Sequence, residues 1–322
     1  MAYDTIMVFP DRFRNHILPE QIHILNVAFH VPELRREFGG CAGNIAYGLR
    51  LLGMDPIIVA TMGQDAGPYL ERLRQLGIRD EGIRLFAEEM TAQAYIITDL
   101  DDNQITAFHP GAMLRSHAAS IEPGWGAVWG IVAPDGREGM LVHCETFHEL
   151  AVPFVFDPGQ GLPLLTGAEL VRCLELAQVA VVNDYEAKLL EERTGLRLPQ
   201  LAERVEALIV TRGGEGADLF CDGRCERIEA VPPRAVVDPT GCGDAFRAGL
   251  LCAKALGADW GDAVRLGSVM GSEKIAVSGA QNYALTFSEA VARLRTHYGV
   301  GAAWAGGFDE QTFFDGDRRG GW

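Results

Sequence analysis

Asp238-Pro239-Thr240-Gly241-Cys242-Gly243-Asp244 runs directly into the amphipathic stretch Ala245-Phe246-Arg247-Ala248-Gly249-Leu250. Two glycines just before a helix let backbone N–H groups turn toward one point, and the helix dipole adds positive potential there. Such a turn can hold a phosphoryl group in transfer. Asp244, at the helix start, then has the chemistry of a base that takes the proton of an attacking hydroxyl. Read alone, the heptad fits a helix-capping aspartate after a glycine turn equally well.

Gly39-Gly40-Cys41-Ala42-Gly43-Asn44 sets closely approachable backbone beside an amide that both donates and accepts. That suits a vicinal diol, although a loop with a helix cap has the same composition. Asn183-Asp184-Tyr185-Glu186 puts an amide and a carboxylate on one side of a helix start. The pair can order Mg²⁺-bound water near phosphates, or simply cap the helix. Thr211-Arg212-Gly213-Gly214-Glu215-Gly216 is a glycine-rich exit from an apolar run. His143 and His148, with Cys144 and Glu145 between them, read as structural residues at a strand end. Cys221 and Cys225 flank Asp222-Gly223 and read as hairpin positions rather than zinc ligands.

Short apolar runs must position these clusters. Ile6–Phe9, Pro56–Thr61, Met140–His143, Phe154–Asp157, Val179–Asn183 and Ala207–Thr211 are predicted strands, with helices at Ile45–Leu52, Pro68–Leu76, Tyr185–Thr194 and Ala245–Leu256. Strand–helix alternation predicts an α/β fold: a mostly parallel, doubly wound sheet flanked by helices, with functional residues at the strands' carboxyl ends. Ala94–Thr98 and Gln104–Phe108, joined by Asp99-Leu100-Asp101-Asp102-Asn103, break that pattern as an antiparallel hairpin. They predict a small β-rich lid drawn from parts of 9–38 and 91–113. One kinase-sized domain over 1–300 is expected, followed by a disordered Gly-, Asp- and Trp-rich tail at 301–322.

The 322-residue chain carries a net charge of −16, which argues against a nucleic-acid or anionic-membrane partner. Its start lacks a basic n-region and an apolar h-region, and the seven cysteines include no C-x-x-C pair. A cytoplasmic protein with reduced thiols is expected. No G-x-x-x-x-G-K-[ST] loop is present, and no strand–G-x-G-x-x-G–helix unit, so P-loop and dinucleotide-binding chemistry are disfavoured.

Taken in order, these segments resemble the ribokinase-like (PfkB) carbohydrate kinases over roughly residues 3–297, nearest the bacterial adenosine kinase and archaeal nucleoside kinase branch. The resemblance implies an ATP- and Mg²⁺-dependent kinase. Asp244 would be its base, with Gly241, Cys242 and Gly243 supplying anion-hole amides. Asp4, expected at the end of the first strand, would hold a substrate diol with Gly39, Gly40 and Asn44. Asn183 and Glu186 would reach Mg²⁺ through water. Thr211, Gly213, Gly216, Asp238, Thr240 and Asn282 would surround the nucleotide. Relatives that use potassium place it in the loops near Asp238, so K⁺ is a candidate cofactor.

Thr91-Ala92-Gln93 and the run Asn103–Met113 resemble the lid of the nucleoside kinases. Phe108, with Met113 and Phe38, would stack on a nucleobase or else pack the hairpin itself. The expected reaction is transfer of the γ-phosphoryl of ATP to the 5′-hydroxyl of adenosine or another nucleoside. A ribokinase- or fructokinase-like sugar kinase is the alternative, and a non-catalytic nucleoside- or sugar-binding sensor is a further one. A homodimer through the lid is a candidate assembly. Two features depart from the family: only three residues precede Asp4, and no basic residue follows Asp157-Pro158. Arg115 and Arg212 are candidates for the missing phosphate contact by location.

Overall fold

In the computed structural model the first strand, β1 (Ala2–Val8), pairs antiparallel with β2 (Glu33–Gly39). The structure describes residues 1–17, 26–101, 103–306 and 308. Helix α1 (Cys41–Leu51), β3 (Ala60–Gly63), α2 (Gly67–Leu76) and β4 (Ile83–Phe86) follow, and β3 and β4 form a two-stranded parallel sheet. The antiparallel hairpin β5 (Ala92–Thr98) and β6 (Gln104–His109) then completes a four-stranded sheet of order β2-β1-β5-β6. This corrects two expectations. The first strand lies in the small sheet rather than the main one, and Asp4 is its third residue rather than its last. Most of β1 is only half-buried, which a strand covered on both faces would not be.

The larger sheet begins at β7 (Gly130–Val132). Helix α3 (Arg137–Glu149), β8 (Phe154–Phe156), α4 (Gly167–Leu176), β9 (Val179–Asn183), α5 (Asp184–Thr194), α6 (Leu198–Ala202) and β10 (Ala207–Thr211) follow. The hairpin β11 (Ala217–Cys221) and β12 (Arg224–Ile228) closes the sheet in the order β12-β11-β10-β9-β8-β7. Its four strands from β7 to β10 are parallel. Three helices end the fold: α7 (Cys242–Ala255), α8 (Trp260–Lys274) and α9 (Phe287–Tyr298).

Alternation along the central strands shows the double winding. Val155, Val181 and Ile209 face a core shared with α7, α8 and α9, while Phe156, Val182 and Val210 face one shared with α3, α4 and α5. Burying each such side chain contributes roughly 1.5–3 kcal/mol. Met140–His143, expected as a strand, lies inside α3. The buried residues Met140, Cys144 and Phe147 recur at helical spacing, and the short apolar run is one turn of that stripe. His143 keeps a structural role, with Nε2 2.9 Å from the Ala119 carbonyl oxygen.

Residues 301–306 and 308 correct the expected disorder. Trp304 Nε1 donates to Asp262 Oδ2 at 2.9 Å, and the Phe308 ring packs 4.7 Å from Phe287. The rest of the expected tail lies outside the described residues. Among the described residues no helix is long and apolar enough to cross a membrane.

Candidate active site

Gly241 caps α7 with φ +78°, and a β-carbon there would come within 2.7 Å of the Ala280 side chain. Cys242 and Gly243 begin the helix, and Asp244 lies in its first turn. Asp244 is therefore not the cap. Its Oδ2 accepts a hydrogen bond of 2.8 Å from Asn44 Nδ2, on α1. Asn44 Oδ1 accepts from Gln281 Nε2 at 3.0 Å, and the same amide donates to the Tyr69 hydroxyl at 2.8 Å. Tyr69 in turn donates to the Gly39 carbonyl at 2.8 Å. One chain of hydrogen bonds thus joins the glycine turn of α1 to Asp244 on α7, although the Gln281 Oε1 within it has no partner among the described residues.

Burial pushes the Asp244 carboxyl up to about 6, against the pull of the Asn44 hydrogen bond and the Arg247 charge; Asp157 pushes the same way as burial. Arg247, one helical turn beyond Asp244, donates from Nε and Nη2 to the two oxygens of Asp157 at 2.6 and 2.7 Å. Its Nη1 also donates to the Gly243 carbonyl at 3.1 Å. Asp4 lies against Gly39, where an added β-carbon would stand 2.3 Å from Asp4 Oδ2. Burial, with Glu37 and Asp238 nearby, raises the Asp4 carboxyl to about 6. Gly40 caps α1 with φ +83°.

In the four-stranded sheet Asp4 is paired with Ala94, and Ala94 with Phe108. Phe108 therefore shares a row and a face with Asp4, two strands away, or roughly 10 Å at ordinary strand spacing. Phe108 is 51% exposed. Arg35, on β2, reaches out of this sheet, and its Nη1 donates to Ser278 Oγ at 3.3 Å.

Asp157 follows β8 directly, Asn183 ends β9 and Thr211 ends β10, so all three sit at the carboxyl edge of the parallel sheet. Asn183 and Glu186 form a reciprocal capping box, with both backbone N–H groups bonded at 2.8 Å. Burial raises the Glu186 carboxyl above its ordinary range. Among the described residues no cluster of three or more His, Cys, Asp or Glu could hold a metal. A single carboxylate at the strand edge does fit Mg²⁺, which keeps several waters and binds mainly through substrate phosphates.

The turn after Thr211 carries Gly213 at φ +54° and Gly216 at φ +91°. Asp238 accepts from the backbone N–H of Thr240 at 2.9 Å and of Gly279 at 2.8 Å, tying the Asp238–Asp244 turn to the loop after α8. Asn282 Nδ2 donates to the Ser278 carbonyl at 3.0 Å and so braces that same loop.

The sequence assigned no role to Arg247, Tyr69 or Lys274, and it did not connect Asp157 or Gln281 to Asp244. Arg247 stood in plain view one turn after Asp244, but its partner is remote in sequence. Both basic candidates carry ion pairs: Arg212 Nε lies 2.6 Å from Asp218 and Arg115 Nε 3.2 Å from Glu89.

The sequence model of the pfkB family carbohydrate kinases matches residues 4–286. The chain belongs to that family. Among curated relatives of this pfkB chain, the nucleoside kinase of Methanocaldococcus jannaschii is 30% identical over 274 residues, covering 84% of this chain and 90% of the relative. Among solved structures, the nucleoside kinase of Burkholderia thailandensis in complex with inosine superimposes with a TM-score of 0.84 at 52% identity, covering 93% of this chain and 96% of that one. The same enzyme in complex with ADP-inosine gives a TM-score of 0.81 at 53% identity over 93% and 94% of the two chains. The α/β architecture is that of the ribokinase-like pfkB kinases.

Proposed function

We propose that the chain is an ATP-dependent nucleoside kinase that transfers the γ-phosphoryl group to the 5′-hydroxyl of a ribonucleoside. The observation that carries this reading is the hydrogen bond from Asn44 to Asp244. It keeps the side chain suited to a diol one hydrogen bond from the base. A ribose whose 2′,3′-diol meets Asn44 carries its 5′-hydroxyl on the carbon attached to the same small ring, so the diol site and the base must be close together. Resemblance to a kinase solved with inosine supports a purine nucleoside as acceptor.

In this mechanism Asp4, Gly40 and Asn44 bind the diol, and Phe108 meets the base along the same row of the sheet. The four-stranded sheet acts as a lid that excludes water, which would otherwise compete for the phosphoryl group. Asp244 accepts the 5′-hydroxyl proton on its carboxylate as the oxygen attacks phosphorus. The amides of Gly241, Cys242 and Gly243 receive the charge that builds on the transferring group. Mg²⁺, bound with the phosphates and reached by Glu186 and Asn183 through water, would neutralise part of that charge.

The deciding experiment measures ADP formation with Mg²⁺-ATP across inosine, adenosine, pyrimidine nucleosides, ribose and fructose. Turnover on nucleosides at least about tenfold above that on free sugars is expected. A preference for ribose or fructose would overturn the acceptor assignment and leave the kinase assignment standing. Homodimerisation through the exposed edge strand β6 is part of the same proposal, and the mass in solution tests it.

A further inference from the structure

Lys274, the last residue of α8, is wholly buried at 0% exposure. Its Nζ donates to the Asp238 carbonyl at 2.6 Å and the Val277 carbonyl at 3.1 Å, and stands 3.9 Å from Asp238 Oδ2. These oxygens belong to the two segments that frame the anion-hole turn. The same segments are joined by hydrogen bonds from the Val237 and Asp238 N–H groups to the Ile275 carbonyl, at 2.8 and 3.1 Å. Backbone carbonyls beside a carboxylate are the donor set that a dehydrated monovalent cation takes. Here a tethered ammonium already has them.

Potassium near Asp238 therefore does not fit this chain. The Asp238 carbonyl is claimed by Lys274 at hydrogen-bond distance, and a second cation beside it would be repelled by the ammonium. An ammonium leaves water only at considerable cost unless its hydrogens are taken, and here two carbonyls accept from it with a carboxylate oxygen 3.9 Å away.

We infer that Lys274 is a positioning residue that acts as the resident monovalent cation of the Asp238–Asp244 turn. It holds the turn in its anion-binding form and makes phosphotransfer independent of added potassium. This inference rests on the proposed kinase reading. Lys274 touches no reacting atom; it acts through the backbone of Asp238, four residues from Cys242.

The test compares the full-length protein with Lys274→Met and Lys274→Ala, each first checked for folding by circular dichroism. Wild-type turnover and ADP affinity should change less than about twofold between potassium-free buffer and 100 mM KCl, with tetramethylammonium holding ionic strength constant. Lys274→Met should lose about 10²-fold in kcat, the scale for removing one charge that organises an anion hole. Lys274→Ala should regain activity on adding K⁺ or NH₄⁺, a rescue that a merely structural lysine would not show. Strong potassium activation of the wild type, or full activity of folded Lys274→Met in potassium-free buffer, would overturn the inference. Should the variants fail to fold, the wild-type potassium titration still decides. ADP binding by calorimetry reads the same potassium dependence when no acceptor is turned over, so failure of the acceptor assignment is distinguishable from failure of this one.

Discussion

Arg247 and Asp157 meet in a buried, two-pronged ion pair across 90 positions of sequence. The pair joins the strand β8 exit to the first turns of α7, and the third prong, to the Gly243 carbonyl, fixes the glycine turn from below. Removing one partner leaves the other charged and buried, so Arg247→Met should cost about 3–5 kcal/mol of stability. Urea denaturation would measure it. The same variant should raise the kinetic pKa of Asp244, because the guanidinium now favours the carboxylate.

With its carboxyl near 6, Asp244, the proposed base, is ionised at neutral pH and protonated in mild acid. The pH profile of kcat/KM should therefore rise through about pH 6 and reach a plateau above it. A limb near 4 would show that burial does not govern this group when it works.

Asp244→Asn should abolish turnover while stabilising the fold. A carboxyl raised from 3.8 to about 6 in the folded state costs nothing below pH 3.8, where both states are protonated. The cost grows between those values and is complete above about 6, on the order of 2–3 kcal/mol. The thermal midpoint of the variant should exceed that of wild type at pH 8 by about 2–4 °C for each kcal/mol relieved. The gap should shrink toward pH 4.5. Loss of activity with an equal or lower midpoint at pH 8 would contradict this account.

Phe108→Ala should weaken nucleoside use selectively. Base–aromatic stacking contributes about 1–3 kcal/mol, so kcat/KM for inosine should fall roughly 5- to 150-fold. Whatever slow turnover of free ribose exists should be unchanged, because ribose offers no ring to stack. Steady-state kinetics on the two acceptors would separate the outcomes.

The parts legible in sequence were those encoded locally. The heptad Asp238–Asp244 carries its own turn chemistry, and the runs at 154–156, 179–183 and 207–211 are β-branched and aromatic stretches of the kind a doubly covered sheet takes. Met140–His143 failed because four apolar-rich residues fit one helical turn as well as a strand. The Arg247–Asp157 pair and the Asn44–Gln281 contact, 237 positions apart, depend on tertiary closure, and no local spacing announces them. Lys274 at a helix end reads as a surface cation that favours the dipole. Only burial reveals otherwise.

The Arg35–Ser278 contact joins the strand next to Asp4 to the loop that Asp238 braces. In the proposed reading, a nucleoside that moved this sheet would move the 278–282 loop with it, and a nucleotide held by that loop would act on the sheet in return. Thermodynamic reciprocity then requires each ligand to raise the other's affinity by the same factor, whichever arrives first. Arg35→Ala should weaken any such coupling, which titrating each ligand in the presence and absence of the other would measure.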